Sequence, residues 1–178
     1  MREARVPPKM SNSVARASRG TRVVLIASQF HPAIADALVR GAIATLSRAG
    51  VPRSRIRLVR APGAFELPVI AARMARGRFR PHAIIALGAL IRGDTPQYKI
   101  LAHAVASGLT QVAVETGVPV TFGVIVATTL AQARARAGLP APRSAYHQKA
   151  RQAGGDVGNR GAEAASAALE IMRLFNSP

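Results

Sequence analysis

The sequence predicts an α/β domain in which strands and helices follow one another around a parallel sheet. Three observations lead there. The strand candidates are short, unbroken apolar runs, as expected of strands buried on both faces. The segments between them place apolar residues three and four apart, the period of an amphipathic helix. The two kinds of segment take turns along the chain, the pattern of a doubly wound fold.

Val23-Val24-Leu25-Ile26-Ala27 is the first strand. Pro32 opens a helix with Ile34, Ala37, Leu38, Ala42, Ile43 and Leu46 on its apolar face. Proline is favourable in a first helical turn, and Gly50 closes the helix. Ile56-Arg57-Leu58-Val59 is a shorter second strand, followed by a helix from Leu67 to Met74. The third strand runs from Ala83 to Leu90, and after a turn at Arg92-Gly93-Asp94-Thr95 a helix runs from Ile100 to Thr116. A fourth strand from Val118 to Ile125 precedes helices from Leu130 to Ala137 and from Ala162 to Phe175. Residues 1–20, basic and without apolar period, read as a disordered arm, leaving residues 21–178 as a single domain. The pattern fails again between Gly138 and Gly158, where a loop insertion is expected over about 139–157.

A chain of 178 residues can bury a full core, and 49% apolar with 19% charged residues argues against general disorder. The net charge of +17 suggests nucleic acid. That reading rests on charge alone, because the seven aromatic residues are scattered, whereas single-strand binders gather several on one face. With no cysteine, disulfides, thiolate nucleophiles and cysteine-based metal sites are excluded. No apolar run reaches the roughly 18 residues of a membrane span, and no apolar secretory segment follows the early charges. None of the four histidines is paired with another at metal-ligand spacing.

In doubly wound folds ligands bind beyond the carboxyl ends of the strands. Those ends carry Ser28-Gln29-Phe30-His31, then Ala61-Pro62-Gly63-Ala64-Phe65-Glu66, then Leu90-Ile91-Arg92-Gly93-Asp94-Thr95, while the fourth strand contains Phe122. Phe30 and Phe122 are expected on one rim, where they could sandwich a flat heterocycle while Glu66 accepts hydrogen bonds from hydroxyls; the alternative places both rings in the core. The turn at Arg92–Pro96 could hold an anion, with Asp94 opposing a phosphate unless it points away and caps the helix. Gly158-Asn159-Arg160-Gly161 is a second basic turn, whose plain reading is surface. His82 lies at the wrong end of its strand and His103 in mid-helix; only His31 lies at a strand's carboxyl end. No nucleophile elbow, Walker A loop or dinucleotide fingerprint is present.

Five ordered blocks carry a resemblance. They are Pro62-Gly63-Ala64-Phe65-Glu66-Leu67-Pro68, the run from Ala86 to Thr95, Pro119-Val120-Thr121-Phe122-Gly123-Val124, Gln132-Ala133 with Arg136-Ala137-Gly138, and Asn159-Arg160-Gly161 with Glu163-Ala164-Ala165. Over about Arg22 to Phe175 the chain resembles the 6,7-dimethyl-8-ribityllumazine synthases of riboflavin biosynthesis. The resemblance implies a flavodoxin-like, three-layer α/β/α sandwich around a four-stranded parallel sheet. It implies a cytoplasmic transferase condensing 5-amino-6-(D-ribitylamino)uracil with 3,4-dihydroxy-2-butanone 4-phosphate, with loss of phosphate and water. Phe30 and Phe122 would then lie at the pyrimidine, Ala64, Phe65 and Glu66 around the ribityl chain, and Ala89, Leu90 and Ile91 along the ring by backbone contacts. Asp94 and Thr95 would form the phosphate turn, Arg136 would hold the phosphate, and Arg160 would stand near it in place of the family's usual lysine. No metal or organic cofactor is implied. The expected partners are the two substrates and further copies of the chain, as pentamer, decamer or 60-subunit shell, with the site shared between neighbours.

The departures are as informative. The family's Thr-x-His-Phe or Thr-x-His-Tyr reads Thr95-Pro96-Gln97-Tyr98 here, so Gln97 stands where a proton-transferring histidine is expected. An amide cannot act as general acid or base, and losing such a group typically removes about 10²–10⁴-fold of rate. Val126, Ala127 and Thr128 lack the usual polar and acidic pattern. His31, where many relatives have asparagine and a subgroup histidine, reads first as a helix-entry residue and second as a rescuing proton-transfer group. The main reading is thus a lumazine synthase of reduced activity; the alternative is a weak paralogue serving as a flavin- or lumazine-binding or shell-forming protein.

Overall fold

The structure, a computed structural model, describes residues 17–18, 20–140 and 158–176. The basic arm expected over 1–20 and the insertion expected over 139–157 therefore lie almost wholly outside the described residues. In chain order the elements are β1 (Val23–Ser28), α1 (Pro32–Arg48), a 3-10 turn (Arg53–Arg55), β2 (Ile56–Ala61), α2 (Leu67–Ala75), β3 (Ala83–Ile91), α3 (Gln97–Thr116), β4 (Val120–Ala127), α4 (Leu130–Arg136) and α5 (Arg160–Asn176).

The four strands form one parallel sheet in the order β2-β1-β3-β4. The unbroken apolar runs have the expected cause. Along β1 and β3 successive side chains enter opposite cores, so neither face can be polar. Val23, Leu25 and Ala27 join Ala83, Ile85 and Leu87 in one core beneath α1 and α5, closed by Leu38, Leu46, Ala165 and Leu169. Val24 and Ile26 join Ile84 and Ala86 in the other, beneath α2 and α3, closed by Leu67, Ala71, Val105 and Leu109. This is the three-layer α/β/α sandwich of flavodoxin-like folds. The edge strand β2 shows a different pattern, with Arg57 and Arg60 exposed, and a charged edge discourages further strand pairing.

Element ends differ from the sequence expectation where the signal is polar. α3 starts at Gln97, three residues before Ile100, because its first turn carries no buried apolar residue. β4 begins at Val120 and reaches Ala127: Pro119 lacks a donor for the ladder, although its carbonyl still accepts from the Ile84 N–H at 2.8 Å. α5 starts at Arg160, two residues before Ala162, because Asn159 caps it.

Asn159 is more than a surface turn residue. Its Oδ1 accepts from the N–H groups of Gly161 (2.9 Å) and Ala162 (3.1 Å), and its Nδ2 donates to the carbonyls of Ala37 (2.9 Å) and Ala137 (2.7 Å). One amide thereby ties α1, the end of α4 and the start of α5 together. Asn159→Asp keeps both acceptor bonds but has no donor for the two carbonyls. It is expected to destabilise the fold by about 2–3 kcal/mol, read as a shifted urea midpoint at unchanged slope. A midpoint equal to that of the parent would show that the amide does not tie these helices.

Candidate active site

Beyond the carboxyl ends of β1, β2 and β3 the chain forms a cleft of about 410 Å³. The β1–α1 turn supplies Phe30 and His31, the β2–α2 turn Gly63, Ala64, Phe65 and Glu66, and the end of β3 Ala89, Leu90 and Ile91. The β3–α3 turn and the first turns of α3 add Gly93, Thr95, Gln97, Tyr98 and Leu101. Phe30 and Phe65 are 74% and 60% exposed, an unusual placement for two rings and one suited to covering a planar ligand. Glu66 is the only carboxylate among the described lining residues. The His31 ring meets the Phe30 ring edge-on, with centroids 5.1 Å apart, and partial burial holds the imidazole pKa below its ordinary value of 6.5. His31 occupies the N-cap of α1 but its side chain makes no capping hydrogen bond.

A second cleft of about 320 Å³ opens along β4. Val124 to Ala127 form its floor, and Gln132, Arg136 and Arg160 its walls. Arg136 is placed by the way α4 begins. The Thr129 hydroxyl accepts from the Gln132 N–H at 3.1 Å, while Gln132 Oε1 accepts from the backbone N–H (2.9 Å) and hydroxyl (2.7 Å) of Thr128. This is a capping box shifted by one residue, and it anchors the helix whose last residue is Arg136. Glu163 Oε2 then takes both guanidinium groups, from Arg136 at 3.1 Å and from Arg160 at 2.9 Å. Among the described residues two arginines share one carboxylate, an arrangement of paired guanidinium groups that suits an anion such as phosphate.

The sequence-derived residues thus separate into two groups. Phe30, Ala64, Phe65, Glu66, Ala89, Leu90, Ile91, Thr95 and Gln97 meet in the first cleft; Arg136 and Arg160 meet in the second; the two share no lining residue. The expected convergence of Phe30 and Phe122 on one rim does not occur within the protomer. Phe122 pairs with Ala86, three residues and about 10 Å before Ala89 at the rim, and packs half-buried against the α2–α3 core. Asp94 is exposed outside the first cleft, and it does not cap α3, whose N-cap is Pro96 with no side-chain bond. His82 is structural: its Nδ1 accepts from the Arg22 N–H at 3.1 Å at the opposite end of the sheet.

Sequence reasoning assigned no role to Glu163, Tyr98 or Leu101. For Glu163 a signal existed, since Arg160 and Glu163 stand three apart in a helix and must be neighbours. Among the described residues no cluster of three or more His, Asp or Glu gathers as metal ligands.

Comparison with known proteins bears on both clefts. A family model described as 6,7-dimethyl-8-ribityllumazine synthase matches residues 20–176, which include every lining residue of each cleft. A 6,7-dimethyl-8-ribityllumazine synthase of Nitratidesulfovibrio vulgaris (strain DSM 19637 / Miyazaki F) is 40% identical over 159 residues, covering 89% of this chain and 90% of the relative. Another, from Desulfotalea psychrophila (strain LSv54 / DSM 12343), is 38% identical over 158 residues, covering 89% and 91%. A match of this length, through strands, turns and both clefts alike, means that the chain belongs to the 6,7-dimethyl-8-ribityllumazine synthase family.

Proposed function

We propose that the chain condenses 5-amino-6-(D-ribitylamino)uracil with 3,4-dihydroxy-2-butanone 4-phosphate in a site built from two subunits. The first cleft of one subunit takes the pyrimidine, with Phe30 over the ring, the backbone of Ala89, Leu90 and Ile91 along its edge, and Glu66 accepting from ribityl hydroxyls. Thr95 lies on the side where the butanone phosphate enters. The next subunit contributes Phe122, Arg136 and Arg160 from its β4 edge, and the arginines hold the phosphate that leaves. Family membership supports the reaction, and the separation of the two groups of residues on one protomer supports the sharing.

Exposed apolar side chains favour an assembly: Val69, Ile100, Val114, Val126, Leu130, Leu174 and Phe175 are all 46% exposed or more. A closed ring with head-to-tail contacts, the family's pentamer, juxtaposes the first cleft of each subunit with the second cleft of its neighbour. Decamers or shells would stack such rings. The enzyme would work in the cytoplasm; among the described residues no helix is long and apolar enough to cross a membrane.

Schiff-base formation and ring closure are largely problems of holding two substrates in register, and that entropic share of catalysis needs no strong nucleophile. The test is direct: incubation with both substrates while following lumazine absorbance. Turnover above the spontaneous rate, abolished when the assembly is dissociated to monomers, is the expected result. A rate equal to the spontaneous one would overturn the reading and favour a binding or shell-forming role.

A further inference from the structure

The first cleft contains an imidazole, but not where the resemblance leads one to expect it. At the start of α3, where a proton-transferring histidine is expected, stands Gln97, whose amide cannot exchange protons at any working pH. Across the same cleft, at the start of α1, His31 lines the wall. We propose that His31 is the proton-transfer group of this enzyme, serving from the β1–α1 turn the function that Gln97 cannot serve from α3. The proposal rests on the condensation assigned above.

Several observations support it. The imidazole has no competing structural duty: it sits at an N-cap position yet makes no capping bond, and its contact is an edge-on one with the Phe30 ring. Phe30 is also the ring assigned to the pyrimidine, so His31 is held beside the place where the 5-amino group would react. Among the described residues no other imidazole lines the cleft: His82 is engaged with Arg22 at the far end of the sheet, and His103 lies exposed in α3. The other titratable groups lining the cleft among the described residues are Glu66 from the β2–α2 turn and Tyr98 from α3. Imidazole is the side chain that ordinarily exchanges protons close to neutrality. Of the nearby charges, Arg92, Asp94 and Lys99 are exposed outside the lining, and Asp36, one turn along α1, is paired with Arg60 at 2.6 Å.

The chemistry requires a group that both accepts and returns a proton. When the 5-amino nitrogen attacks the ketone carbon, an N–C bond forms and the carbonyl electron pair moves to oxygen. Neutral His31 takes one proton from the now cationic nitrogen and hands it to the alkoxide, giving a neutral carbinolamine. As the C–O bond breaks, the nitrogen lone pair forms the C=N bond, and the remaining nitrogen proton passes through His31 to the departing hydroxyl, which leaves as water. Both amine protons and the ketone oxygen end as that water, and the imidazole ends neutral, so protons balance over the step. Burial favours the neutral form, so His31 is a ready base at neutral pH.

The test compares the wild type with His31→Asn, Gln97→His and the double variant, assembled as the full chain. Asparagine is a good N-cap, so His31→Asn is expected to keep the melting temperature of the parent. The wild-type kcat is expected to fall as pH drops through an imidazole pKa below 6.5, because protonation removes the base. His31→Asn should lose that acid limb and about 10²-fold of kcat, with KM for either substrate little changed. Gln97→His in the His31→Asn background should restore both rate and limb, showing that an imidazole was missing rather than a fold. A His31→Asn enzyme with full kcat and an intact acid limb would overturn the proposal while leaving the condensation standing. Wild type without turnover would overturn the condensation itself.

Discussion

Replacing Gly161 with alanine is expected to lower the melting temperature by about 10 °C, equivalent to about 3 kcal/mol for a domain of this size. The substitution ordinarily helps a helix, since alanine is favoured over glycine by about 1 kcal/mol. Here the sign reverses. Gly161 is buried in the first turn of α5, where α5 rests on the backbone of α1. A Cβ at 161 would overlap the Leu38 carbonyl oxygen and come within 2.7 Å of its carbon and 2.9 Å of its Cα. Those are main-chain atoms in the middle of α1, so no side-chain rotation relieves the overlap. A second glycine marks the same approach: a Cβ at Gly41 would strike the Asn159 amide, 2.8 Å from its Nδ2. The measurement is a thermal melt beside Ser166→Ala, an exposed position on the same helix that should be nearly neutral. Equal melting of the two variants would show that α1 and α5 do not meet through glycine. Because Arg160 and Glu163 flank Gly161, a displaced α5 should also weaken phosphate binding in whatever protein remains folded.

Arg136→Ala is expected to lower kcat/KM by about 10²–10³-fold, the usual consequence of removing one donor from an anion that gains charge as it leaves. Arg136→Lys should recover only part of this, since an ammonium keeps the charge but loses the two-pronged geometry. The more telling experiment mixes chains. Glu66→Ala damages the first cleft and leaves Arg136 intact, whereas Arg136→Ala does the reverse. If each site takes its first cleft from one subunit and Arg136 from the next, random co-assembly of equal amounts restores about a quarter of the sites, although neither parent is active. If the site lay within one protomer, the mixture would show only the mean of its parents. Unchanged parental activity after verified co-assembly would therefore overturn the two-subunit reading without touching the role of Arg136.

Much of the architecture was legible because burial leaves a periodic trace. Val23 to Ala27 and Ala83 to Leu90 are apolar at every position because each strand has a core on both sides, and the parallel sheet followed from that. The rim turns were legible because glycine, aromatic and carboxylate residues gather there, and Phe65, Glu66, Thr95 and Gln97 do line one cleft. The polar first turn of α3 was not legible, having no buried side chain to set a period. Nor was the function of Asn159, two of whose hydrogen bonds reach residues 22 and 122 positions away.

The excess of arginine marks the same boundary: sequence counts charges, and tertiary structure decides which of them meet. Arg136 and Arg160 come together only because Glu163 holds both, and Arg160 reaches that place only because α5 packs glycine-close on α1. Phe122 looked like the partner of Phe30 because both are aromatic and lie in or beside strands, yet strand register sets it about 10 Å short of the rim. The sequence by itself determined the layers, the strand faces and the chemical inventory of the rim, all of which follow from local pattern. The tertiary structure decided which inventory shares a cleft, because that depends on register and on helix approach, two quantities fixed by contacts between residues distant in the chain.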